Sequence, residues 1–346
     1  MNGFKAKLGS DHPSTLTTMS NLASTYRKQG KWDKAEGLEV DVVNAFTAKL
    51  GSNHPSSLTS MSNLASIYMN QGRWAEAEEL QVYVMNTFTA KFGSNHPNTL
   101  STMANLASTW SKQGKWDEAE ELEVNVVNAF YEMLGSDHPS TLTSMANLAS
   151  TYRNQERWDE AEELGVDVVN AFKAKLGPDH PSTLSSMLNL ASTYLKQGRS
   201  DEAEKLQLDA MNAFKEKLGP DHPSTLTSMA NLALTYQNQG KWDEAERLQL
   251  DVINARKSKL GSEHPDTLTS MANLASTYRN LGKLQEAENL ETNARKTKPG
   301  TEHTPPSMHS LAVTYVSQVN QHDAMAFNLL TISSQYHSSM GPKLTI

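Results

Sequence analysis

The chain has no cysteine in 346 residues. Disulfide staples and thiolate metal sites are therefore excluded, and a reducing cytoplasmic setting is the expectation. There is no run of the roughly 18 consecutive apolar residues that a bilayer span needs, and the start, MNGFKAKLGSDHP, has no apolar stretch like that of a secretory signal. Positive charge is in short supply. Thirty-one Lys and Arg against 39 Asp and Glu give a formal net charge of −8, which leaves no basic footprint for a nucleic-acid backbone. Hydrophobic residues make up only 37% of the chain and mean hydropathy is −0.57. That is lean for one globular core but adequate for a thin stack that buries a single layer between helices. No phosphate-binding loop of the form G-x-x-x-x-G-K-[ST] occurs.

What is present is repetition, which overrides the two-domain expectation that the length alone would carry. The stretch GSDHPSTL at Gly9 returns in near-copies, so that His12, His54, His96, His138, His180, His222 and His264 stand 42 residues apart. Glycine keeps half that period: Gly9, Gly30, Gly51 and so on to Gly282 stand 21 residues apart, with one miss at Glu156. Glycine tolerates the left-handed conformation that commonly follows a helix, so each reads as a stop. The prolines of the His-Pro pairs fall between the stops, where proline suits a first helical turn. Each unit thus predicts two helices of about 25–29 Å. Helix A runs from about Pro13 to Gln29 with Met19, Leu22, Ala23 and Tyr26 on one apolar face. Helix B runs from about Lys31 to Leu50 with Trp32, Ala35, Leu38, Val42 and Phe46 inward. The recurrent tryptophans are expected to wedge the two helices, the methionines of the Met19 position to pack the core, and the acidic WDEAEEL runs to form a solvated face.

Seven histidines beside acids and hydroxyls invite a metal or hydrolytic reading. Zinc needs its nitrogen ligands within about 2.1 Å of one ion, whereas equivalent residues of stacked helix pairs stand on the order of 10 Å apart. A hydrolytic triad needs one converging pocket, not seven equivalent turns. The expectation is punctuation: Asp11 or His12 caps helix A and Pro13 starts it. No catalytic residue, no metal and no cofactor is assigned.

Segments of the type MANLASTYRNQGKWDEAEEL followed by KLGSDHPSTL resemble tetratricopeptide repeats. More narrowly, they are similar to the 42-residue variety of kinesin light chains and of the C-terminal arrays of fungal NLR-like proteins. Asn21-Leu22-Ala23, Tyr26, Gly30, Trp32, Ala35 and Leu38 carry the likeness in the first unit. The resemblance implies an all-α fold, a right-handed superhelical solenoid of antiparallel helix pairs whose helices A line a concave surface, and a non-enzymatic role in binding other proteins. The units are expected at 10–51, 52–93, 94–135, 136–177, 178–219 and 220–261, with a shortened repeat at 262–300. Residues 1–9 read as a remnant helix B, so the chain is expected to begin in mid-repeat, and 301–346 as a degenerate repeat and C-terminal cap.

The outer face of helix A is where a partner is expected. Asn21 recurs as Asn63, Asn105, Asn147, Asn189, Asn231 and Asn273, and a serine follows three residues later as Ser66, Ser108, Ser150 and Ser192. Asparagine amides both donate and accept, which suits gripping the backbone of an extended peptide; bonding to a neighbouring helix is the rival reading. Lys112, Arg153 and Lys196 lie beside the row and vary while the scaffold stays constant, which points to an acidic or phosphorylated protein or peptide partner. Nucleic acid and membrane are not expected partners. Two contexts fit: the sensor or scaffold array of an NLR-like signalling protein, and a cargo adaptor similar to kinesin light chain.

Overall fold

A computed structural model describes residues 9–296; the half-helix expected before Gly9 and the degenerate unit expected at 301–346 lie outside the described residues. Among the described residues fourteen α-helices follow one another and no strand occurs. The A helices are α1 (Pro13–Lys28), α3 (Pro55–Asn70), α5 (Pro97–Gln113), α7 (Pro139–Asn154), α9 (Pro181–Lys196), α11 (Pro223–Asn238) and α13 (Pro265–Asn280). The B helices are α2 (Trp32–Leu50), α4 (Trp74–Phe92), α6 (Trp116–Leu134), α8 (Trp158–Leu176), α10 (Ser200–Leu218), α12 (Trp242–Leu260) and α14 (Leu284–Lys296).

Local chemistry sets these boundaries. Every A helix begins with proline at its first position behind a histidine cap: His12 Nδ1 accepts from the Ser14 N–H at 3.2 Å, and the same bond recurs from His54 to His264. Each A helix ends in a left-handed turn. Gly30, at φ 68°, donates to the Arg27 carbonyl and Lys31 to the Tyr26 carbonyl, a Schellman closure. Where the glycine series misses, Glu156 takes the same turn at φ 63°. The B helices end on Gly51 and its equivalents at φ 87° and ψ 156°, a region open essentially to glycine alone.

The described chain divides into two compact units, residues 9–133 and 134–296. Within each, every helix packs on the one before it: α1 to α5 in the first, α7 to α14 in the second. The A helices α1 and α3, and likewise α7 and α9, also touch directly across the intervening B helix. The apolar layer is as expected from the period. Leu16, Met19, Val42 and Phe46 form one cluster; Ala23, Ala35 and Ile67 form another, where the small side chains let the backbones close up. Met19, Met61, Met229 and Met271 are buried. Two expectations need correction. The tryptophans do start five of the B helices, but Trp116 is 40% exposed and Trp32, Trp74, Trp158 and Trp242 are half-buried, so none is a fully buried wedge. The acidic face is not simply solvated. Glu36, Glu78, Glu162, Glu204 and Glu246 reach into the next hairpin and pair with a cation 37 residues on: Arg73, Lys115, Arg199, Lys241 and Lys283.

Candidate partner-binding surface

The expected surface is built by the A helices. Asn63 is exposed, Asn105, Asn147 and Asn189 are half-buried, and Asn231 is buried. Their amides differ in what they do. Asn63 Nδ2 donates to the Glu39 carboxylate at 3.2 Å, a bond of the frame. The side chains of Asn105, Asn147, Asn189 and Asn231 make no hydrogen bond with any described residue, although their helix carbonyls do: Asn105 and Asn231 accept from Thr109 and Thr235, and Asn189 from Arg153. The serines behave otherwise. Ser66 and Ser192 turn their hydroxyls back to the carbonyls of Ser62 and Leu188 on the same helix, at 3.1 and 3.0 Å, while Ser108 and Ser150 are buried. The serine row thus belongs largely to the scaffold, and the asparagine row does not.

Of the cations, Lys196 is exposed and Lys112 half-buried. Arg153 is the unusual one. Its guanidinium makes one hydrogen bond, to the Asn189 carbonyl at 3.3 Å, and no carboxylate reaches it among the described residues. Burial pushes its pKa down to about 10, as expected for a charge taken from water without a counter-charge. It stands over a narrow cleft of about 10 Å³, room for about one water, between α7, α8 and α9. Ser150, Asn189 and Thr193 also line the cleft, but most of its wall is apolar, from Ala149, Val168 and Leu190.

A row of buried polar residues on the B helices escaped the sequence reading. Glu39, Gln81, Glu123, Gln207 and Gln249 are 1–6% exposed. Each stands at i+4 from the buried alanine and i−3 from the buried Val42 position, so the spacing 35, 39, 42 and 46 was the signal that could have found it. Gln81, Gln207 and Gln249 accept the hydroxyls of Thr109, Thr235 and Thr277 from the next A helix at 2.6–2.7 Å. Glu39 accepts from Ser20 and Asn63; burial raises its pKa and these two bonds oppose the rise. The outer clips show the reverse balance. Burial pushes the Glu78 carboxyl up, but bonds from Lys115, Trp110 and Gln113 outweigh it and hold the group below the usual carboxylate range. The seven described histidines are all occupied as caps, and no group of three or more His, Asp or Glu that could hold a metal occurs among the described residues.

The tetratricopeptide repeat profile matches residues 15–56 in one form and, in another, the overlapping stretches 56–130, 112–174, 140–216, 184–258 and 230–299. The chain belongs to the tetratricopeptide repeat family. Tetratricopeptide repeats make scaffolds for protein–protein interaction, and the fold is the all-α superhelical repeat class of that family. Two solved structures of a Podosopora anserina protein, described as a kinesin light chain with nearly identical TPR-like repeats, are 35% identical to the chain. They cover 58% and 60% of it and 95% and 99% of their own length, each with a TM-score of 0.51. BtubC (BKLC) from P. vanneervenii is 17% identical over 68% of this chain and 96% of its own, with a TM-score of 0.52. A Signal Transduction ATPase with Numerous Domains from Pyrococcus horikoshii, which carries a tetratricopeptide repeat sensor, is 14% identical over 89% of this chain and 44% of its own, with a TM-score of 0.55. At those identities the last two share the fold alone. No curated protein matches the chain. No helix among the described residues is long and apolar enough to cross a membrane.

Proposed function

We propose that these tetratricopeptide repeats hold an extended segment of another protein along their A helices, with the asparagine amides gripping its backbone and the neighbouring cations reading acidic side chains. The observation that carries this reading is the unspent hydrogen-bonding capacity of the Asn105, Asn147, Asn189 and Asn231 side chains along the A helices. None of these four amides is sealed from solvent, so a ligand can replace the water they bond with its own backbone groups at little cost. Each 42-residue hairpin then acts as one reading module, in a cytoplasmic scaffold without catalytic residues.

The context we favour is the sensor or scaffold array of an NLR-like signalling protein, in keeping with the signal-transduction ATPase whose tetratricopeptide sensor has the same fold. The rival context, a cargo adaptor similar to kinesin light chain, draws on the 35%-identical P. anserina protein. A P-loop module or a heptad coiled coil in the transcript upstream of Met1 distinguishes the two. The binding test is a paired measurement on Asn105→Ala, Asn147→Ala and Asn189→Ala. Partner affinity should weaken by about 1–2 kcal/mol per substitution with melting temperature nearly unchanged. Loss of stability without a separate loss of affinity would return the asparagines to the frame.

A further inference from the structure

The first A helix lacks a cover that five of its siblings have. Helices α3, α5, α9, α11 and α13 each lie against the B helix of the hairpin before them, and three side chains of the covered face are sealed there. The equivalents of Leu22 in these five helices are 0–6% exposed, those of Thr25 0–2%, and those of Thr18 0–5%. In α1 the same face is open: Leu22 is only half-buried, and Thr18 and Thr25 are exposed. Its polar groups are idle too. The Thr25 hydroxyl turns back to the Asn21 carbonyl at 3.0 Å, whereas Thr109, Thr235 and Thr277 donate to a glutamine of the covering helix at 2.6–2.7 Å. Lys31 donates to Gln29 at 2.9 Å and meets no carboxylate among the described residues. Its equivalents Arg73, Lys115, Arg199, Lys241 and Lys283 each pair with a glutamate of the covering helix.

The covering helices show what fits such a face. An alanine, a glutamate one residue on and a glutamine four residues on meet these groups. Ala35 packs in one cluster with Ile67, the residue at the Thr25 position. Glu78, Glu204 and Glu246 take the cation, and Gln81, Gln207 and Gln249 take the threonine hydroxyl. The glutamine position also bears on the leucine: a Cβ built on Gly165, which stands there in α8, comes 3.1 Å from Leu190 Cδ1. Helices α4, α10 and α12 carry the full set, as Ala77-Glu78-x-x-Gln81, Ala203-Glu204-x-x-Gln207 and Ala245-Glu246-x-x-Gln249. Residues four apart share a helix face, so the alanine and glutamine arrive together.

We propose that the open face of α1 docks an amphipathic helix of a partner protein that carries Ala-Glu-x-x-Gln on one side, the surface that the B helices of this chain present to one another's hairpins. The glutamate of that helix meets Lys31, its glutamine meets Thr25 and Leu22, and its alanine lets the two backbones close up. Charge selects this occupant: the unpaired ammonium of Lys31 stands where five siblings hold a carboxylate. A second copy of the chain is not the occupant, because the Gln81, Gln207 and Gln249 faces of that copy already lie under α5, α11 and α13. The site goes beyond the groove reading and does not depend on the asparagine row.

The test is methyl NMR of the full chain titrated with a synthetic peptide of the α10 sequence, Ser200–Leu218, held helical by a lactam on its solvent side so that ordering does not mask binding. Saturable shifts are expected at the Leu22 and Thr25 methyls, and none at Leu232 and Thr235, their covered equivalents. Gln207→Ala in the peptide should weaken binding about fivefold. Thr25→Arg in the chain, at an exposed helix position, should melt as the wild type does and lose the peptide. Lys31→Glu should weaken the wild-type peptide and recover binding with a Glu204→Lys peptide. Absent shifts at Leu22 and Thr25, equal shifts at Leu232 and Thr235, or a charge exchange that recovers nothing would each overturn the site. So would Leu22 and Thr25 methyls that a soluble paramagnetic agent reaches no better than those of Leu232 and Thr235 before peptide is added, since the face would then be covered already. Shielding that grows with protein concentration would make the occupant a second copy and overturn the proposal as well.

Discussion

Replacing His138 with alanine tests the cap that starts each A helix, and pH makes the test selective. In α7 the Nδ1 atom of His138 accepts from the Ser140 N–H at 3.2 Å, and Pro139 occupies the first helical position. Losing a side-chain cap typically costs about 1 kcal/mol, so H138A should be less stable than wild type by about that amount near pH 8. An imidazole caps through its Nδ1 lone pair, which protonation removes. Burial lowers the pKa of His138, and Lys175, whose ammonium donates to the Asp137 carbonyl beside the cap at 2.8 Å, lowers it further. The sign follows. With the folded value below the ordinary histidine pKa of about 6.5, the contribution is complete above that pH and is lost as pH falls through the folded value. The difference between H138A and wild type should therefore shrink toward zero by about pH 5. His138→Asn caps without titrating in this range, so it should match the wild type near pH 8 and exceed it near pH 5. The same pattern is expected at His180, where burial and then Lys217 lower the pKa. Urea melts at both pH values decide it. A destabilisation of H138A that is equal at the two pH values refutes the capping reading.

Gln207→Leu should cost about 1 kcal/mol, because the Thr235 hydroxyl loses its 2.6 Å bond to Gln207 and keeps only the longer one, 3.3 Å, to the Asn231 carbonyl; the double variant Q207L/T235V should recover most of that in the same denaturant melts, and failure to recover would mean that the pair is not the source of the loss. Glu156→Gly should raise stability by about 0.5–1 kcal/mol, since glutamate holds φ 63° at a cost that glycine avoids, partly offset by the chain entropy of glycine; an unchanged melting curve would show that the turn is not strained. Glu204→Ala unties Gln239 and Lys241, each 2.8 Å from its carboxylate, and should lower the melting temperature. That loss should diminish as salt is added, because the pair is partly exposed and screened.

The helices themselves were legible because their signals are local. A glycine that must turn left-handed, a proline that fits only a first turn and an apolar spacing of 3, 4 and 7 each act within one or two turns of the chain. They therefore located the two helices of the first hairpin, Pro13–Lys28 and Trp32–Leu50, to within a residue or two. Even the exception at Glu156 was visible, as a break in a 21-residue series whose backbone turn is nonetheless kept. What the histidines do was narrowed to a cap, but not to which residue supplies it; the extended backbone at His12, φ −71° and ψ 136°, puts its ring rather than the Asp11 carboxylate against the Ser14 N–H.

Relations between hairpins were beyond the sequence. Glu36 and Glu39 stand three residues apart in a stretch that looks uniformly acidic, yet Glu36 clips to Arg73 at the outer edge while Glu39 is 1% exposed and bonds Ser20 and Asn63 inside. A carboxylate's role depends on which face of its helix the neighbouring hairpin covers, and those partners lie from 19 to 37 residues away in sequence. Gly165 makes the point most sharply. In sequence it is a small residue in a helix that already carries its stop at Gly177. In the stack it is the one place in its row where a side chain is missing, beneath an arginine that nothing neutralises. The repeat period determined the hairpins; packing one hairpin on the next decided which of their polar groups are spent on the frame and which are left for something else to meet.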